Sequence, residues 1–499
     1  MRRRHLIPFA LIASVLTLTA LVKGTPSPCT STLPEGTTSA TVNTTLKGAA
    51  GGAVICLASG TYELLTISGA NPSSQVKLQA APGATVNVHG MVLSNGSGGV
   101  SHLTVEGINF TGAYEASEPP LGNVGHLSII GNKFGVNTTG STETGSTAVT
   151  NIPSTSGMAV GEAIYATNIS TNATNLSKIS EINSPTEIHI EHAATSTATN
   201  EKIGVGPADG VFTKSSTAEG RVQEYTTVEH NTFSNLGPCP TENKACGTIG
   251  QCFSAMNGKQ HHITFAHNVC GGNIPNHYVQ IASGENLTVE HNTFLGPPKS
   301  ETDALVHQNI LQIFGSSSHV QFAHNIMWET GGSPSLLIEA SLGAAATYED
   351  IHIEHNLWLN NTGSQAVNLC PIKGLTVEHN TVVGSQNGVL FHEFIAEPVG
   401  NSYDCLEGRE YAIEHNIAVA THSGADFGAG GCESVCSIDY NVSGDKSVEG
   451  ELHGVPSWTP NWANTIWSNP SEAFPDPPTG YYIPTGLPIE AGYAGGGGA

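Results

Sequence analysis

Residues 287–294 read LTVEHNTF, and near copies of this octet recur along the chain: TTVEHNTF ends at Phe233 and LTVEHNTV at Val382. Apolar residues alternate with polar ones on both sides of the Glu-His-Asn trio, as with Leu287, Val289 and Phe294, or Ile351, Ile353 and Trp358. A period of two marks strands with one buried face and argues against helix. Each copy therefore reads as two short strands joined by a bend at His-Asn.

Alignment on the Asn gives a column of Asn132, Asn231, Asn268, Asn292, Asn325, Asn356, Asn380, Asn416 and Asn441, with Ile108 holding the place in an earlier VEGINF copy. From Asn231 onward the steps are 37, 24, 33, 31, 24, 36 and 25 residues. A rigid motif at variable spacing means stacked coils with loops of unequal length. A further apolar run precedes most copies: 278–282, 310–314, 336–340, 366–370 and 389–394. Three strands per turn predict an all-β chain folded as a right-handed parallel β-helix. The Asn is expected at the bend because it tolerates a left-handed backbone, and its amide is expected to bond to the next coil.

The Asn followed by one residue and an aromatic (NTF, NKF, NLW), with ICLASGTY at 55–62 and the YYIPTGLPIEAG tail, resembles the bacterial secreted β-helix proteins of the pectate-lyase-like superfamily. The resemblance covers most of residues 29–492. It implies a polysaccharide partner, and lyase or hydrolase chemistry in a groove one strand before the Asn bend. On that face it points to His307, Gln312, Glu339, His392 and Glu393 as catalytic candidates, and to His277, Gln280, Asn309 and Asn368 as substrate-binding ones.

Residues 1–24 have the layout of a signal peptide, Arg2, Arg3 and Arg4 followed by the apolar run 6–22; an uncleaved anchor is the alternative. A secreted or cell-surface location follows, with no membrane partner after cleavage. An N-terminal cap and first coils are expected over 25–137, an inserted small β module over 138–205, main coils over 206–454, and a capping segment with a Gly-rich tail over 455–499. The insertion breaks the rhythm, since 99 residues separate Asn132 from Asn231. It reads either as a spacer or as a substrate flap. In the last segment Trp458, Trp462 and Trp467 are expected to cover the final coil, with surface sugar binding as the alternative.

All ten cysteines follow residue 24, which suits disulfides in an oxidising compartment. Proximity and the coil alignment suggest Cys29–Cys56, Cys239–Cys246, Cys370–Cys405 and Cys432–Cys436, with Cys252 and Cys270 either paired or buried; zinc ligation is the competing reading. The formal net charge of −24 opposes nucleic acid and anionic lipid. A monomer is expected.

Seven successive coils carry a His before the Asn: His230, His267, His291, His324, His355, His379 and His415. A uniform stripe supplies no unique open ligand set, so it reads as a solvated turn column, with incidental metal binding as the alternative. The metal question stays open. Calcium is the one cofactor considered, at the acidic loop 403–410, although no calcium-loop consensus is present. A lyase needs a base and a group that neutralises the uronate, whereas a hydrolase needs paired carboxylates. Lys214, Lys259, Lys299, Lys373 and Arg409 lie near the face but in no lyase motif, and Glu301 and Asp303 are scattered carboxylates. Two classes remain: a secreted carbohydrate-active enzyme, or a noncatalytic extracellular scaffold or adhesin.

Overall fold

The computed structural model describes residues 28–443, apart from 95–98, 112–120, 123, 167, 170–176, 207–209, 215–222, 235, 237–249, 257–259, 272–273, 275–276, 297–308, 329–334, 340–345, 360–364, 370–371, 384–388, 394–409, 420–435 and 440. The expected signal segment, the Trp-rich C-terminal segment, His307, and the three expected disulfides beyond Cys29–Cys56 lie outside the described atoms.

One coil shows how the octet builds the rod. Strand Val279–Ile281 leads to Gly284–Glu290, the chain turns at His291 and Asn292, and Thr293–Leu295 completes the turn. Equivalent strands of successive coils pair in parallel to form sheets of thirteen, twelve and eight described strands. Leu287 pairs with Ile263 and Val320, and Val289 with Phe265 and Phe322, so identical positions stack into apolar columns. Leu287, Val289, Phe294, Ile353 and Trp358 are all fully buried, as the alternation predicts. This is a parallel β-helix.

The Asn column is continuous. Asn292 Nδ2 donates to Phe265 O at 2.8 Å and to Asn325 Oδ1 at 3.0 Å, while Asn292 Oδ1 accepts from Asn268 N at 2.9 Å and Asn268 Nδ2 at 3.1 Å. The same contacts run from Asn132 to Asn441, and Ile108 N closes the upper end by donating to Asn132 Oδ1 at 3.0 Å. One half of the expected cause needs correction. The left-handed residue at the corner is the His, with φ of 53–57° in all seven coils, and Gly107 and Gly131 take its place in earlier coils. None of the ladder Asn residues has positive φ. The His absorbs the turn, which leaves the Asn amide aimed inward to link coils.

A second left-handed column, which apolar alternation does not reveal, divides the long strands. His102, His126, Tyr225, His262, Asn286, His319 and Asp350 have φ of 53–59°, and Gly374 follows at 75°. The helix Ser39–Gly48 is likewise invisible to a period of two. Thr38 caps it by accepting from Thr41 N at 3.3 Å, and Val42 and Leu46, one turn apart, are buried in the rod core.

Between the coils of Asn132 and Asn231 lies an antiparallel six-stranded sheet that includes Val136–Thr142, Glu187–Ile190 and Ala198–Gly206. Val136 pairs with Val205, so the chain leaves and re-enters the rod side by side. Ile152, Ile164, Ile188 and Ile203 form an apolar cluster of its own, distinct from the rod core. Cys29 and Cys56 form a disulfide with Cα atoms 5.6 Å apart, whereas Cys252 and Cys270 are thiols buried in the core.

Replacing Asn292 with Ala leaves Asn268 N and Phe265 O without their side-chain partner in a buried corner. The expected loss is roughly 2 to 4 kcal/mol, read as a lower denaturant midpoint by circular dichroism. A midpoint unchanged from the parent protein contradicts the linking role.

Candidate functional site

The eight-stranded sheet carries a polar wall. Val279 and Ile281 point into the core, so Gln280 between them lies on the opposite face, and Gln280 pairs in register with Gln312. Gln251 Nε2 donates to Gln280 Oε1 at 2.8 Å, Gln280 Nε2 to Gln312 Oε1 at 2.6 Å, and Gln312 Nε2 to Glu339 Oε1 at 2.7 Å. Three amides thus hand hydrogen bonds in one direction to a carboxylate. An amide nitrogen has two N–H groups, so Gln280 and Gln312 each retain a second donor. Gln280 and Gln312 are only 5% and 8% exposed, and Ser254, which pairs with Gln280, is fully buried.

His277 and Asn309 lie two residues before Val279 and Leu311, whose pairing brings them to neighbouring coils, and both are buried. Glu339 departs from its expected column. The register sets Leu337 beside Gln312 and pairs Glu339 with Phe314, and only the length of the Gln312 side chain brings the two groups together. Asn368 and His392 pair with each other and continue the column through Leu337. Glu393 pairs with Leu369, in the column of the core residues Ile313 and Ile338. The side chains of Asn368, His392 and Glu393 lie outside the described atoms. The structure therefore joins Gln280, Gln312 and Glu339 directly and adds Gln251, which the sequence pattern did not single out. A Gln two residues before an apolar strand start was the available signal.

Tyr348 closes one end of this wall. Its hydroxyl donates to Glu339 O and accepts from Gly315 N at 3.1 Å, and burial, with the Glu339 charge, raises its pKa. On the long sheet, His319 Nδ1 lies 2.5 Å from Asp350 Oδ2, and His352 Nε2 lies 2.9 Å from Asp350 Oδ1. The hydrogen bonds from His319 and His352 hold the Asp350 carboxyl below its usual range, and the bond to Asp350 raises His319. Lys373 is engaged with Glu349 at 3.1 Å. No group of three or more metal-ligating side chains occurs among the described residues.

No family model matches the sequence, and no curated protein does. Solved structures match in architecture. A PL6 family polysaccharide lyase from Pseudopedobacter saltans is 11% identical, with a TM-score of 0.37, over 87% of this chain and 96% of that one. The PL6 family alginate lyase AlyGC is 14% identical, with a TM-score of 0.34, over 83% of this chain; the match spans 51%, about half, of the lyase. PfbA, a surface adhesin of Streptococcus pneumoniae, is 11% identical, with a TM-score of 0.35, over 75% of this chain and 88% of that one. This chain is thus similar in structure to polysaccharide lyases and other β-helix proteins at low identity, and the likeness is one of fold.

A buried carboxyl lies where the inserted sheet meets the rod. Glu162 is fully buried, its Oε2 accepts from Ala159 N at 2.7 Å, and its Oε1 has no hydrogen-bond partner. Burial pushes its pKa from 4.5 up to about 8; the Ala159 N–H and the nearby Thr111 hydroxyl of the rod oppose the shift too weakly to cancel it. The Thr111 hydroxyl also lacks a partner of hydrogen-bonding geometry, which explains its small effect.

An undocked Glu ionises above its ordinary value while the docked one stays protonated until about pH 8. Docking of the insert is then strongest below the ordinary value and weakens as pH rises between the two, by on the order of 5 kcal/mol in all. Hydrogen exchange of the 159–164 amides, corrected for intrinsic rate, should lose protection between about pH 5 and pH 8. Glu162→Gln should remove that slope, and an equal slope in the variant contradicts the assignment.

Proposed function

We propose that this chain is exported and holds or processes an extracellular polysaccharide along the outer face of the eight-stranded sheet. The observation that carries this reading is the directed relay Gln251, Gln280, Gln312 and Glu339, beside His277 and Asn309. The interior columns are mostly apolar or Asn, and the corners repeat one motif. On this face amides and a carboxylate at adjacent coils are bonded one to the next, with an imidazole and a further amide beside them.

Strand spacing repeats these groups about every 4.8 Å. A linear glycan likewise presents hydroxyls at regular intervals, and amide pairs bind hydroxyls as both donor and acceptor. The relay ends on a carboxylate, which is an acceptor suited to sugar hydroxyls and a group able to take a proton. A formal charge of −24 disfavours a polyanionic chain unless a cation such as calcium intervenes, so the test must be run with and without calcium.

The scaffold or adhesin reading is favoured by a specific observation. The wall amides spend hydrogen bonds on one another and are nearly buried, as the Asn ladder amides are. The two readings separate in a panel of neutral and uronate polysaccharides scored for binding, for new reducing ends and for unsaturated products. Gln312→Ala and Glu339→Gln should each weaken binding or turnover about tenfold or more, with circular dichroism unchanged. Full binding and turnover in both variants moves the site off this wall, and a panel without any binding or product contradicts the carbohydrate reading.

A further inference from the structure

The seven corner histidines do not simply face water. Their rings stack from His230 to His415 with centroids 4.7–5.1 Å apart and planes inclined by 3–24°. The backbone sets this spacing. Each His holds a left-handed φ, and His267 N, His291 N, His324 N and His355 N donate to carbonyls of the next coil at 3.0–3.1 Å. The coils therefore hold the seven histidines at strand spacing beside the Asn ladder, with His230 and His267 exposed and the other five half-buried.

Such a stack suits neutral imidazoles and opposes imidazolium. Protonation of neighbours places like charges at strand spacing, which opposes the stacked arrangement. A protonated ring also carries an N–H on both nitrogens, and Nδ1 of His324 and of His355 is buried without a hydrogen-bond partner. The carboxylates facing the stack are Glu229, Glu290, Glu354, Glu378 and Glu414, but Ala266 and Ala323 interrupt their column. For Glu354 the nearer approach to His355 Nδ1 is 4.0 Å, beyond a hydrogen bond. The stack forms no group of three or more metal-ligating side chains among the described residues.

We infer that this corner is an acid-sensitive seam, in which the imidazole stack helps to hold the coils from His230 to His415 together while neutral and loosens them when adjacent rings gain protons. Burial, then the neighbouring imidazoles, lower His267, His291 and His355 despite the opposing pull of Glu229, Glu290 and Glu354. A folded-state value below the unfolded one leaves stability complete above the ordinary His range, about pH 6.5, and removes it as pH falls through the folded values.

The test uses the full chain and a variant in which His267, His291, His324 and His355 are all replaced by Asn, which accepts the left-handed backbone without titrating. Denaturant unfolding is followed at about pH 7.5 and pH 5. Several rings that bind protons more weakly when folded should together lower the ratio of folded to unfolded protein about 10- to 100-fold in the parent on acidification. The variant should lose markedly less, and an equal loss overturns the inference. Exchange of the imidazole C2 hydrogens, followed by mass spectrometry in the parent, gives a second reading that does not depend on the variant folding. His267, His291 and His355 should titrate below a free histidine peptide, and titration at or above it overturns the inference as well.

Discussion

Every coil from Asn132 to Asn441 is tied to the next by one buried side-chain amide, and the rest of the rod depends on that bond. A turn between two strands leaves peptide groups pointing into an apolar interior, where an unpaired donor or acceptor costs about 1 to 3 kcal/mol. The Asn amide meets this need in both directions at once, donating to a carbonyl and an amide oxygen and accepting a backbone N–H. It can do so only because the preceding residue takes the left-handed turn. The Glu-His-Asn trio is thus a division of labour, in which His bends the chain, Asn joins the coils, and Glu stands outside as a partial counter-charge to the rings.

The corner and the wall use the same chemistry on opposite sides of the sheets. The Asn ladder lies inside and repeats without variation. The Gln relay lies on the outer side of one sheet, runs in one direction through three amides and ends on the Glu339 carboxylate, with His277 and Asn309 beside it. Uniformity is what a frame requires, whereas a ligand needs a local pattern of unlike groups. That contrast is why the wall carries the functional proposal and the corner carries a stability one.

Much of the frame was legible in the sequence because burial imposes a period. Leu287, Val289 and Phe294 announce their columns, and the spacing of Asn residues counts the coils. The identity of the left-handed residue was not legible, since both His and Asn tolerate that conformation and only the backbone distinguishes them. The second bend hid inside long strands, because residues as unlike as Tyr225, Asn286 and Asp350 share one conformation there. The helix at Ser39–Gly48 escaped for a related reason, as its Thr-rich surface carries little apolar signal. At the candidate wall, alternation identified Gln280 and Gln312. It gave no hint that they would be nearly buried, because what covers an outward face is decided by distant parts of the chain. Glu162 was invisible for the same reason.

The central claim is that the repeated trio is the frame and that a ligand is held on the Gln and Glu wall. Crystals of the protein grown with the oligosaccharide that binds best in a panel test this most directly. Sugar density is predicted along Gln280, Gln312 and Glu339, with hydroxyls within hydrogen-bonding distance of their side chains. Sugar density over the His267, His291 and His324 corner, with the wall empty, would contradict it.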